Sequence, residues 1–197
     1  MLFLVLCNLS SFSQTTLGVG DIAFIGINFD GNDDYSFILL KEIQSGTQIR
    51  FTDYGWSDAT GFATGVGGDS EWVWTSTSSL TCGSVVTIIT SSLSASTGTV
   101  TLPPSESNPL LSSAGDQIFA FQGSLASPSF ISAVHSNIQG STTDANWDNT
   151  PTTNQNSALP DVLTNGVNAI RLYNTVTNTE IDNWLYNCAV VMVHQHP

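Results

Sequence analysis

Almost nowhere does the chain show the i, i+3, i+4 apolar spacing of an amphipathic helix. Apolar residues come in short β-branched and aromatic runs, cut off by Gly, Asn, Asp and Ser. Asp21 to Phe29 predicts a strand, Asp30 to Asp34 a turn, and Tyr35 to Leu40 the returning strand. Gln48 to Thr52 predicts a third strand. After a Gly/Ala/Asp loop over Ser57 to Ser70, Glu71 to Thr75 places Trp72 and Trp74 on one face. Further strands are expected over Ser84 to Thr90, Thr97 to Leu102, Asp116 to Gln122, Phe130 to His135, Ala169 to Tyr173 and Glu180 to Leu185, with a turn over Asn174 to Asn178. A long polar stretch, Ser136 to Ala158, interrupts them; loops of that length usually carry function or motion. The expected fold is an all-β antiparallel sandwich of about 8–10 strands.

Charge narrows the partners. Charged residues make up 10% of the chain, against about a quarter in an average globular protein. The three bases are Lys41, Arg50 and Arg171; sixteen acids give a formal net charge of −13. Nucleic acid is excluded as a partner, because its binding rests on neutralising phosphates with Lys and Arg. An anionic membrane surface is excluded for the same reason, and cations are favoured. Surface polarity must come from Ser, Thr and Asn, a composition typical of extracellular bacterial proteins.

The first residues agree with export. Leu2 to Leu6 are apolar, and Ser11 and Ser13 fit positions −3 and −1 of a signal-peptide cleavage site. Residues 1–13 are therefore expected to be removed, leaving Gln14 as the mature N-terminus; a buried N-terminal strand is the alternative. Residues 14–188 then form one sandwich domain, followed by an atypical apolar tail over 189–197. No apolar run reaches bilayer-spanning length, so no transmembrane segment is expected. Once Cys7 has left with the signal, Cys82 and Cys188 remain as a pair. In an oxidising compartment they are expected to form a disulfide, against the reading of two separate buried thiols.

Gly20 to Gly26, Asp30 to Phe37 and Phe51 to Trp56 (Phe-Thr-Asp-Tyr-Gly-Trp) together resemble a module of exported bacterial proteins, found in Bacteroidetes-type and cyanobacterial chains. Its layout resembles the lamin-tail type of immunoglobulin-like sandwich, with later matches at Gly115 to Ile118 and Ile181 to Trp184. The resemblance spans roughly Gly18 to Asn187. It implies a secreted accessory or surface-interaction module and brings no catalytic residues with it.

The residues offer little catalytic chemistry. There is no Gly-x-Ser-x-Gly elbow, and one internal histidine, His135, is the only partner for a triad. Gly65 to Gly68 is glycine-rich, but no helix follows to make a phosphate site. A glycosidase needs two carboxylates at fixed separation. Asp69 with Glu71, and Asp33 with Asp34, are acids close in sequence, though chance pairs are common among sixteen. No enzyme is expected.

Two loops fit a hard cation better. Asp30, Asn32 and Asp34 fall at i, i+2, i+4, and Asp144, Asn146 and Asp148 repeat that spacing. Alternate oxygen side chains in a tight loop converge on Ca²⁺. Neither is an EF-hand, since Tyr35 or Asn149 stands where glycine is required; the plainer reading is that Asp and Asn make turns. Of the five tryptophans, Trp147 lies in the polar loop and is the candidate ligand platform; Trp72 and Trp74 suit a core as well as a platform. The expected function is non-catalytic: adhesion, matrix assembly or attachment within a larger exported protein, with carbohydrate or other surface proteins as partners. A calcium-assisted carbohydrate-binding module is the alternative, and a hydrolase with an unrecognised site the third.

Overall fold

The structure, a computed structural model, describes residues 14–65, 67–107, 109–137, 147, 155–174 and 179–187. The residues described contain no helix and fifteen strands. In chain order these are β1 (Ile22–Asn28), β2 (Asp34–Leu39), β3 (Gln48–Thr52), β4 (Trp56–Ser57), β5 (Gly61–Phe62), β6 (Glu71–Thr75), β7 (Val85–Ile89) and β8 (Ser94–Ala95). The rest are β9 (Thr99–Thr101), β10 (Gln117–Ser124), β11 (Ser127–His135), β12 (Ala169–Arg171), β13 (Tyr173–Asn174), β14 (Thr179–Glu180) and β15 (Asn183–Leu185). The excess over the expected 8–10 comes from very short pieces such as β4, β5 and β8, each of two residues.

Two sheets face each other. One has five strands in the order β15-β1-β2-β7-β8; the other has six, β12-β11-β10-β3-β6-β9. The chain is an all-β sandwich. One pairing departs from the expected antiparallel pattern: β12 runs parallel to β11, with Ala133 opposite Ala169.

Alternation builds the space between the sheets. Tyr35, Phe37 and Leu39 of β2 point inward, as do Val86 and Ile88 of β7. Ile49 and Phe51 of β3 and Trp72 and Trp74 of β6 meet them from the other sheet. In β1 the alternation breaks at a bulge between Phe24 and Gly26, which makes Gly26 and Ile27 buried in succession. The rings interlock: Tyr35 lies 5.2 Å from Phe51 and Phe37 5.5 Å from Trp74. Both buried indoles are satisfied, Trp72 Nε1 donating to the Tyr35 hydroxyl at 2.8 Å and Trp74 Nε1 to the Thr97 carbonyl at 2.7 Å. The second bond needs Gly98 beside it, because a Cβ there would stand 2.5 Å from Trp74 Nε1.

A second apolar layer covers the outer face of the six-stranded sheet. Phe119, Phe121, Phe130, Ala133 and Ala169 face outward from it and are nonetheless buried, under Tyr54, Phe62 and Leu163. The chain after β3 folds back across this face through the β4–β5 hairpin. Trp56 packs on Phe130 at 4.9 Å, and Phe62 on Phe121 at 5.6 Å. Residues 155–159 clip the hairpin down: Trp56 N donates to Ser157 Oγ at 2.7 Å, and Ala158 N to the Trp56 carbonyl at 2.9 Å. Gln117 to Gln122 of β10 are therefore buried on both faces.

Candidate functional site

Strand ends bring the acids together at one end of the sandwich. The β1–β2 turn holds Asp30 and Asp33, and Asp34 opens β2; Asp53 follows β3, Asp69 precedes β6, Asp116 precedes β10 and Asp182 precedes β15. Asp53 and Asp116 are 0% and 2% exposed. Asp53 Oδ1 accepts from the Ser70 amide at 2.6 Å, whereas its Oδ2 meets no hydrogen-bond donor among the described residues. Asp116 is better served: Oδ2 accepts from Ser112 N at 2.9 Å and Oδ1 from Gln117 N at 2.8 Å. Gln117 Nε2 in turn donates to the Asp53 carbonyl, joining the two positions. Gly115 is required there, since a Cβ would lie 2.7 Å from Asn137 Cα.

Burial pushes the Asp53 carboxyl well above the usual carboxylate range, and the charges of Asp116 and Asp69 push it further, against the one Ser70 amide. Burial also raises Asp116, opposed by its two backbone donors and reinforced by Asp69 and Asp33. Both carboxyls are thus shifted toward the protonated form, by burial before any other cause. Beside them Glu106 Oε2 accepts from the Tyr54 hydroxyl at 3.1 Å, Ser70 Oγ at 3.0 Å and Glu71 N at 3.0 Å. Burial first, then Glu106, raises the Tyr54 phenol. Carboxyls this buried cannot reach a substrate. Among the described residues no group of three or more His, Cys, Asp or Glu is arranged to hold a metal ion.

Asp30, Asn32 and Asp34 do share one turn. Asp34 Oδ2 accepts from Asn28 Nδ2 at 2.9 Å, and Asp30 Oδ2 from Asn183 Nδ2. The Asn32 carbonyl takes the Ser91 hydroxyl, and Asp33 sits at φ 51° with its carbonyl on Thr90. Burial raises Asp182, and Asp30 adds charge and a side-chain hydrogen bond to it. Asp144, Asn146 and Asp148 lie outside the described residues, as do residues 1–13, Cys188 and the tail. Cys82 is exposed in the turn before β7 and bonds no other cysteine among the described residues.

Trp147 is half-buried, its ring 5.9 Å from Phe119 and 5.0 Å from His135. His135 beneath it is 1% exposed. Of the acid pairs, Asp69 and Glu71 are both buried, and Glu71 is ion-paired to Arg50. Sequence reasoning passed over Asp53 and Asp116 as sites, although both stand in the Asp-Tyr-Gly-Trp and Gly-Asp motifs it quoted. It also passed over Trp56. Its half-exposed ring borders a cleft of about 260 Å³, and Asp58 Oδ1 accepts its indole N–H at 2.8 Å.

No helix among the described residues is long and apolar enough to cross a membrane. No family model matches the chain, and no curated protein or solved structure matches it.

Proposed function

We infer that the chain is an exported, non-catalytic sandwich module of the lamin-tail-like immunoglobulin type. It serves adhesion, matrix assembly or attachment within a larger secreted protein at or outside a bacterial cell. One observation carries the reading: the two acids most strongly shifted by burial and, among the described residues, the histidine are sealed into the packing. Asp53, Asp116 and His135 are each at most 2% exposed, so none meets a substrate. Three bases against sixteen acids, and a Ser/Thr/Asn surface, support an extracellular setting. Incubating the purified protein with polysaccharides and p-nitrophenyl esters tests it. No turnover above a heat-denatured control is expected, and turnover of any of them overturns the reading.

Crowding of Asp30, Asp33, Asp34, Glu180 and Asp182 favours a second reading, in which Ca²⁺ at the Asp30–Asn32–Asp34 turn assists binding of a carbohydrate. The two ion pairs of the described residues, Lys41–Asp21 and Arg50–Glu71, involve none of these acids.

A further inference from the structure

We propose that the cleft between the β4–β5 hairpin and the β10–β11 turn binds a single neutral pyranose ring of a glycan. This deepens the reading of the chain as a non-catalytic binding module and rests on it.

The floor is aromatic. Trp56 and Phe62 pack edge-to-face at 5.0 Å and are backed by Phe130, 4.9 Å from Trp56, and by Phe119, 5.6 Å from Phe62. Phe62 is buried and Trp56 half-buried, so the indole is the part of the floor that water or a ligand reaches. One wall carries the exposed Thr60 and Thr64, and the other carries Leu125. Asp58, exposed and just outside the lining, accepts the indole N–H through Oδ1 and so sets a carboxylate beside the ring.

The floor is also held in place before any ligand arrives. Ser157 and Ala158 bond the Trp56 backbone, Ala63 N bonds the Gly55 carbonyl at 2.8 Å, and Gly61 turns the hairpin at φ 81°. A preformed wall avoids the ordering cost that weakens small-ligand binding.

The lining selects the ligand class. An apolar aromatic plane wants a flat C–H face, while hydroxyls and a carboxylate at its rim want hydroxyl donors and acceptors. A pyranose offers both on one ring. At about 260 Å³ the cleft falls below the usual volume of a site for a drug-sized ligand, so it takes one ring and leaves the rest of a glycan outside. Asp58 and the net charge of −13 disfavour anionic sugars.

The test is a two-dimensional NMR titration of the full chain, which carries five tryptophan indole signals. The probes are methyl glucoside, methyl galactoside, methyl mannoside and methyl N-acetylglucosaminide, with methyl glucuronide as the anionic comparator. At least one neutral glycoside is expected to move the Trp56 indole and the Gly61, Thr64 and Leu125 amides with millimolar affinity, at least tenfold more tightly than the glucuronide. The Trp72 and Trp74 indoles should stay still. Ala126→Leu, at an exposed turn position lining the cleft, should weaken binding at least tenfold with the fold intact. No shift at 50 mM of any neutral glycoside, shifts confined to Trp147, or undiminished binding by Ala126→Leu would each overturn the proposal, leaving the non-catalytic reading untouched. Release of methanol in the same tube would do the reverse, removing the non-catalytic reading while the cleft shifts stand.

Discussion

Trp72 of the six-stranded sheet donates its indole N–H to the hydroxyl of Tyr35 in the five-stranded sheet, 2.8 Å away, with both rings fully buried. This bond crosses the sandwich core and adds a directional contact between the two sheets to the apolar packing around it. Burial also raises the Tyr35 phenol well above its usual range, so it stays protonated at any working pH. Tyr35→Phe keeps the ring but orphans the Trp72 donor. The expected loss is about 1–3 kcal/mol, the cost of a buried unsatisfied polar group, read by urea unfolding. An unchanged midpoint would mean that the hydroxyl contributes nothing.

Asp53 sets a pH dependence. Its folded carboxyl titrates above the unfolded value of about 4, so between the two the folded state binds the extra proton. The contribution of Asp53 to stability is therefore fullest below about pH 4 and is lost as pH rises through the folded value. Asp53→Asn removes that titration. The variant should gain on the wild type progressively above about pH 4 in urea unfolding at fixed ionic strength. A constant difference across pH 4 to 8 would show that Asp53 is not the proton carrier.

Calcium should act through the Asp30–Asn32–Asp34 turn. A bound ion stabilises the fold by about 2.7 kcal/mol when free ion exceeds its dissociation constant a hundredfold. Sites of extracellular type bind on the order of 10⁻⁴ to 10⁻³ M. Melting of chelator-treated protein should rise in millimolar Ca²⁺ and rise less in Mg²⁺ at matched ionic strength, which removes simple screening. Asp30→Asn with Asp34→Asn should remove the shift. If the double variant keeps it, the ion binds elsewhere.

Gly98 tests the Trp74 bond. Its φ of 80° and a Cβ position 2.5 Å from Trp74 Nε1 and 2.6 Å from the Thr75 carbonyl leave no room for a side chain. Gly98→Ala should cost about 1–3 kcal/mol by overpacking. Gly46→Ala has a similar φ of 84° and open space around it, and should cost less. Equal losses in thermal melts would reduce the effect to backbone strain alone.

The strands that were most legible in the sequence are those whose large apolar residues alternate toward one core. Gln48 to Thr52 and Glu71 to Thr75 fall on β3 and β6 with the expected bounds, because Ile49, Phe51, Trp72 and Trp74 face one core. Alternation blurs at Ile118, Phe119 and Phe121 for the opposite reason, since β10 is covered on both sides. The β4–β5 hairpin hides in the Gly-rich loop because two-residue strands have no period to read. Asp53 and Asp116 look like turn acids locally. Their burial, and the charges of Asp69 and of other acids that act on them, come from segments far apart in the chain, and a single sequence carries no sign of it. Trp147 attracted notice because its neighbours are polar, yet it packs on Phe119 and His135, whereas Trp56 borders the cleft.

Where this protein works separates an exported module from an intracellular one. Antibody labelling of unpermeabilised cells of the native host, together with a blot of the culture medium, measures it directly. An exported interaction module predicts signal on intact cells or in the medium, carried by a chain that begins at Gln14. A pool confined to the cytoplasm, with Met1 intact, would contradict it.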